Sequence, residues 1–246
     1  MSLQKATGIV LSARTYGEGD VFSSIFTKEF GKNKYIFKGI KKSKKRASSG
    51  AEPGSVINFL YYDHNQQEVA IINEFNPCYN NLKIRSNHEH LFQLYFLLEL
   101  VEKTIGYHDI NQKLFNLLWH GINTIPKTQF SINLSIFFII HLLKNHGLLS
   151  SLKKCKICQQ EDYNDFCLDL NDFGLICSKC HSPNKSPKLF SAHLKEFIQK
   201  SLSEKFATLD QPIYYQENNK NFLASLSQFI ENYFNIEIKS KKMVLN

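Results

Sequence analysis

The sequence predicts an α+β protein: a small N-terminal β-barrel, then a helical region with an inserted four-cysteine module. Three observations lead there. Residues 1 to about 80 hold five short runs rich in β-branched and aromatic residues, set apart by turn residues. From Ser86 onward, apolar residues recur at three- and four-residue steps, as an amphipathic helix requires. Between two helical stretches, four of the six cysteines fall into two Cys-x-x-Cys pairs.

The five predicted strands are Gly8–Thr15, Val21–Thr27, Lys32–Gly39, Ser55–Tyr62 and Glu68–Phe75. Turns are supplied by Tyr16-Gly-Glu-Gly-Asp20, Gly31, Pro53-Gly54 and Asp63 to Gln67. Side chains alternate across a strand, so Lys32, Lys34, Ile36 and Lys38 share one face of the third strand and Asn33, Tyr35 and Phe37 the other. One face is expected to be mostly cationic, the other largely aromatic.

Ser86 and Glu89 fit a capping box, after which Leu91, Leu94, Tyr95, Leu98, Val101 and Ile105 form an apolar stripe. Helix is expected to continue through Ile110–Ile125 and Phe130–Leu149, with Gly147 as a stop. The last of these is apolar round much of its circumference, which places it at the centre of a bundle. Helix returns over Phe190–Phe206 and Phe222–Phe234, with a strand-like or irregular excursion at Pro212–Gln216 and a linker at Ser182–Pro187. The resulting organisation is a barrel domain (1–80), a first helical part (81–152), a cysteine module (153–187) and a second helical part (188–246).

With 246 residues, of which 43% are hydrophobic, the chain can bury a core without disulfide staples. Its formal charge is +8, and that excess is local. Lys28 to Arg46 carry nine basic side chains and one acidic, while the rest of the chain holds 21 of each. Lysine is a default surface residue in translations of AT-rich genes, which explains lysine in place of arginine but not the clustering. A basic run of this length marks a polyanion-binding segment. We expect Lys32, Lys34 and Lys38 on the strand, with Lys41, Lys42, Lys44, Lys45 and Arg46 in the loop after it, to form a phosphate track. Aromatic residues are interleaved with it, most of them expected in the core and at most two or three stacking on bases.

Cys155 and Cys158 are followed after 18 residues by Cys177 and Cys180. Two such knuckles aim four thiolates at one ion, which suits one structural Zn²⁺ with no open coordination position. A disulfide pairing or a single redox Cys-x-x-Cys accounts for the pattern less well. Lys153, Lys154, Lys156 and Lys179 are expected to offset the charge of the thiolates. Cys78 and Cys167 have no partner at ligand spacing and read as ordinary thiols.

Phosphate-binding glycine loops, the nucleophile elbow of serine esterases and the His-Glu-x-x-His helix are all missing from the sequence, so no enzymatic activity is expected. The first 14 residues lack the pattern of an export signal, and Ile132–Leu143 falls short of a membrane span, so a cytoplasmic protein with no membrane partner is expected.

Several segments together resemble one family. Gly8-Ile-Val-Leu-Ser-Ala-Arg-Thr-Tyr-Gly-Glu-Gly-Asp20, Phe26-Thr-Lys-Glu-Phe-Gly31, Lys38-Gly-Ile40 and the run Lys41 to Arg46 are similar to the amino-terminal domain of the RecO family of bacterial DNA repair proteins. The two cysteine pairs with Phe173-Gly-Leu-Ile-Cys177, and the ending Ile236 to Leu245, resemble that family's zinc segment and closing motif. The basic loop is mostly Lys where the family has Arg, and Gln159 and Asp172 stand where it usually has glycine.

The resemblance implies an OB-fold, a helical carboxy-terminal domain and an inserted zinc module. It also implies binding of single- and double-stranded DNA, annealing of complementary strands, and action with RecR to load RecA onto DNA coated by single-stranded DNA-binding protein (SSB). Such a protein works in the cytoplasm, at the nucleoid. Lys239, Lys241 and Lys242 are then candidates for extending the phosphate track or for binding the acidic tail of SSB. Two other classes stay open: a nuclease, which needs clustered carboxylates that the sequence does not show, and an RNA- or ribosome-associated zinc-ribbon protein.

Overall fold

A strand of 15 residues, β1 (Ser2–Tyr16), begins the chain and organises its first half. In the computed structural model the residues described are 2–63, 69–79, 81–129, 131–149, 154–161, 165–169, 174–182, 190–203 and 219–245. The first half of β1 pairs antiparallel with β4 (Val56–Asp63), and the second half with β2 (Asp20–Thr27). A register shift between Val10 and Ser12 lets one strand serve both neighbours, because a bulge bends the strand and increases its twist. The strand therefore starts six residues before the predicted Gly8, in a stretch whose partner is distant in sequence.

β3 (Gly31–Phe37) pairs antiparallel with β2, and β5 (Val69–Pro77) antiparallel with β4. A short parallel pairing of β3 with β5, Lys34 opposite Val69 to Phe37 opposite Ile72, closes the barrel in the order β1-β2-β3-β5-β4. The five-stranded barrel is OB-fold-like, as the sequence predicts. Its interior is aromatic: Tyr35 meets Phe59 edge-on at 5.1 Å, and Phe37 meets Phe75 at 5.1 Å. Ile25, Ile57 and Ile72 fill the space around them. Tyr35 and Phe37 point inward, as the alternation on β3 requires.

Three helices follow: α1 (Leu82–Arg85), α2 (His88–Thr104) and α3 (Gln112–Thr124). The expected capping box at Ser86 is not the cap of α2. Asn87 takes that place, its side-chain oxygen accepting from the amides of Glu89 at 2.9 Å and His90 at 3.2 Å. Ser86 instead ends α1, and its hydroxyl donates to the carbonyl of Lys83. The chain divides into two compact units, Met1–Ile122 and Asn123–Asn246, so α1, α2 and most of α3 group with the barrel.

In the second unit, α4 (Ser131–Asn145) is buried at every position from Asn133 to Ile140, matching the expected central helix. Gly147 ends that stretch with φ 74°, and the Leu148 amide donates back to Leu143. α5 (Ala192–Ser203) and α6 (Asn219–Phe234) pack on α4, and α7 (Lys241–Leu245) follows α6. A small sheet of β6 (Asp165–Asp169), β7 (Gly174–Cys177) and β8 (Phe190–Ser191) carries the cysteine module, in the order β7-β6-β8. Phe166 of β6, Phe190 of β8 and Phe222 of α6 form one aromatic cluster that joins this sheet to the helices. Residues 183–187 of the expected linker and all of Pro212–Gln216 lie outside the described residues. Among the described residues, no helix is long and apolar enough to cross a membrane.

Candidate nucleic-acid interface and metal centre

The outer face of β1, β2 and β3 is laid out in cross-strand rows. Arg14 stands opposite Phe22, and Phe22 opposite Ile36, with the Arg14 guanidinium 4.6 Å from the centre of the Phe22 ring. Lys34 and Lys38 flank Ile36 along β3, two residues away on either side. Lys38 pairs with Asp20 at 3.2 Å.

Beyond β3, Gly39 turns the chain with φ 61°, and a 3₁₀ turn (Ile40–Lys42) opens the basic loop. The turn between β1 and β2 anchors this loop. Asp20 accepts from the Gly39 amide at 2.7 Å, and Lys41 donates its amide to Gly19 and its ammonium to Thr15 at 2.6 Å. Lys42 pairs with Glu18 at 2.8 Å. The Gly39 amide, then the Lys38 ammonium, hold the Asp20 carboxyl below the usual carboxylate range. The Tyr16-Gly-Glu-Gly-Asp20 turn thus supplies two carboxylates that fix the root of the loop. Arg46 folds back, its guanidinium donating to the carbonyl of Lys38 and its amide donating to Ser43 Oγ at 3.0 Å. Lys41, Lys42, Lys44 and Lys45 are exposed, and Lys44 and Lys45 have no side-chain partner among the described residues.

Lys32 departs from the expected open track. Only 5% of it is exposed, and its ammonium donates to the carbonyl of Glu102 in α2 at 2.5 Å. Burial lowers its pKa and raises that of the neighbouring Glu102 carboxyl, the signature of a desolvated Lys–Glu neighbourhood. The cationic face predicted for β3 is therefore graded: Lys32 buried, Lys34 half-buried, Lys38 exposed. The helices lie over its first end, where Phe26 of β2 meets Phe115 of α3 edge-on at 5.7 Å.

The interleaved aromatics divide in the same way. Phe26, Tyr35, Phe37, Phe59 and Tyr61 are core, Phe22 is half-buried, and Tyr16 is exposed. Two residues of this surface were not singled out by sequence. Arg14 lies on the same face, a parity that the bulge in β1 obscures. Tyr107, from the segment between α2 and α3, has the Lys32 and Lys34 ammonium groups 4.7 and 5.0 Å from its ring centre.

The four predicted metal ligands come together. The sulfur atoms of Cys155, Cys158, Cys177 and Cys180 all lie within 4.8 Å of one another. None is joined in a disulfide. Cys158 and Cys177 are 3.8 Å apart, and a tetrahedral zinc with Zn–S near 2.3 Å sets its sulfurs about 3.8 Å apart. Each knuckle is closed by its backbone: Gln159 N donates to Cys155 O at 2.9 Å, and Cys180 N to Cys177 O at 3.0 Å. The amide of Lys156 donates to Leu175 O at 2.8 Å, tying the first knuckle to β7.

Burial raises the Cys155 thiol, but the amides of Cys177, Cys158 and Ile157 outweigh it and bring the group down to about 6. Burial, then the crowded sulfurs, pushes Cys180 up to about 12. A bound cation would favour the thiolate form of all four ligands. Of the lysines expected at the knuckles, Lys156 pairs with Asp169 at 2.6 Å, Lys154 and Lys179 are exposed, and Lys153 lies outside the described residues. Cys167 is buried and Cys78 exposed, and neither joins the cluster.

Residues 1–80 match the family model described as Recombination protein O N terminal, and residues 85–242 match Recombination protein O C terminal. The chain belongs to the recombination protein O family. Similar proteins include a DNA repair protein RecO of Alkaliphilus metalliredigens, 31% identical over 180 residues that cover 73% of this chain and 72% of that protein. A second, from Mesoplasma florum, is 26% identical over 97% of this chain and 87% of that protein. A third, from Syntrophus aciditrophicus, is 25% identical over 98% and 94%. The two RecO models meet where the barrel gives way to helix, so the family match spans the barrel, the helices and the cysteine cluster.

Proposed function

We propose that this RecO-family DNA repair protein is a non-enzymatic DNA-binding recombination mediator. It binds single- and double-stranded DNA and anneals complementary strands. With RecR, it helps load RecA onto DNA coated by SSB, at the nucleoid. One observation carries the DNA-binding part of this reading: Lys38, Lys41, Lys42, Lys44 and Lys45 are exposed side by side at one end of an OB-fold-like barrel. Lys34 extends that track along β3, and Arg46 braces it.

A cationic surface of this kind favours annealing because it screens two phosphate backbones at once and uses no nucleotide energy. The loop is fixed at its root by Asp20 and Glu18, while Lys44 and Lys45 at its tip are open to phosphate. Family membership supports RecR, RecA and SSB as partners, and Lys239 and Lys242, both exposed near the chain end, suit an acidic peptide such as the SSB tail. Lys241 is less available, since it pairs with Glu231.

The bound metal is read as one structural Zn²⁺. The sulfur spacing fits that ion, and the four thiolates leave no coordination position for substrate. Zinc would supply only cross-linking of the two knuckles. The protein's own residues, β6, β7 and the Lys156–Asp169 pair, hold those knuckles in register.

The deciding experiment is annealing of complementary strands coated with SSB, followed with and without the protein. Acceleration supports the proposal, whereas an RNA-associated zinc-ribbon protein predicts none and prefers structured RNA in competition. Metal analysis of the purified protein should find one zinc per chain, lost in Cys155→Ser.

A further inference from the structure

We propose that Tyr107 is a stacking platform for an unpaired nucleobase, placed by the helical hairpin at the Lys34 end of the cationic track. The inference rests on the DNA-binding reading above and goes beyond it by assigning a base-contacting residue outside the barrel.

Tyr107 is held firmly where a mobile loop residue would not be. The amide of the next residue, His108, donates to the carbonyl of Lys32 at 2.9 Å, and Tyr107 itself forms a parallel bridge to Lys32. One residue later the backbone of Asp109 lies directly over Gly31, in the place a side chain would need. His108 adopts φ 63°, a left-handed turn that makes this approach possible. The segment is thus an additional backbone rung on β3.

Tyr107 is nevertheless 48% exposed. The Lys32 ammonium, which is committed to Glu102, and that of the half-buried Lys34 both lie over the ring. An exposed aromatic of fixed orientation, beside a strand that carries phosphate-attracting lysines, is the arrangement that binds single strands: cations track the backbone and rings take the bases. The strand rise of about 3.3 Å per residue puts Lys38 about 13 Å along β3 from Lys34. Phosphates are then engaged at Lys38 and the loop while a base reaches back to the ring. Only an unpaired base presents its face in this way, so the platform favours single strands over duplex.

The test uses the full chain and two oligonucleotides of equal length, one of thymidines and one of abasic sites, with binding read by fluorescence anisotropy. Tyr107→Ala is expected to weaken binding to the thymidine strand about tenfold, from a stacking contribution of roughly 1–3 kcal/mol per base, and to leave the abasic strand unchanged. Tyr107→Phe, which keeps the ring and drops the hydroxyl, retains binding to both and shows that the site still folds. Equal losses on both strands with Tyr107→Ala, or no loss on either, overturn the proposal while leaving DNA binding intact. A wild-type protein that binds neither strand overturns the DNA-binding reading itself, and this inference with it.

Discussion

The backbone carbonyl of Asp109 occupies the space that a side chain on Gly31 would fill. Gly31 also has φ 69°, a conformation that an L side chain resists. Gly31→Ala therefore combines backbone strain with a clash against unyielding backbone, and should destabilise the first unit by at least about 2 kcal/mol. Gly17 is the control: it has φ 60° but nothing within 4 Å of a would-be Cβ. Gly17→Ala should cost only the strain, about 1 kcal/mol. Thermal unfolding of the two variants side by side checks the difference, and equal costs would show that the Asp109 segment yields.

Asn87, not Ser86, caps α2, so the two alanine variants should separate. Asn87→Ala loses an acceptor for two amides and should cost about 1 kcal/mol. Ser86→Ala removes one hydroxyl bond at an exposed helix end and should fall within about 0.5 kcal/mol of the parent. Chemical denaturation resolves this gap.

Gln159 closes the first knuckle with φ 62°, in the left-handed region that favours glycine. Gln159→Gly removes the strain of a left-handed side chain and keeps the backbone bond to Cys155, so the metal-loaded protein should gain about 1 kcal/mol. Loss of stability would mean that the Gln159 side-chain bond to Lys156 O outweighs the strain.

Binding of single-stranded DNA should weaken steeply with salt. If about six phosphates are neutralised, log K falls against log salt with a slope of about −4. Charge reversal at Lys41, Lys42, Lys44 and Lys45 should flatten that slope by about 3. Titrations from low to moderate salt measure it, and an unchanged slope would exclude the loop from the interface.

His141 is stacked on Phe137, and its Nε2 faces the carbonyl of Ser201 at 2.7 Å. Burial lowers its pKa more than the Ser201 bond raises it, with Lys144 lowering it further. The unfolded chain takes up the proton near the ordinary value of about 6.5, before the folded chain does. The contribution is therefore fully present above that pH and declines as pH falls toward the folded value, by at most about 1.4 kcal/mol per unit. Melting curves from pH 8 to 5.5 should show this decline, and His141→Gln should shrink it.

What sequence could show here depended on distance along the chain. The cysteine cluster was legible because each knuckle is set by residues three apart, and the aromatic lining of β3 because alternation is a local rule. The burial of Lys32 was not legible: its cover comes from Glu102 and Tyr107, some 70 residues later, and nothing beside it in sequence announces a helix overhead. Ser86 was mistaken for a cap because the pattern Ser-x-x-Glu is satisfied by sequence whether or not a short helix precedes it. Tyr107 had no local signal at all, since one tyrosine in a polar connection between two helices looks ordinary.

The parallel seam between β3 and β5 also sets an order of events. Lys34 faces Val69 across it, and β4 must already have returned along β1 before β5 can reach that position. The closing hydrogen bonds need that return in place and should therefore form last, on a timescale of about milliseconds to seconds. Until then the lysine-bearing strand is an unpaired edge, and a nascent chain emerging from the ribosome passes through that sticky state before the barrel is sealed.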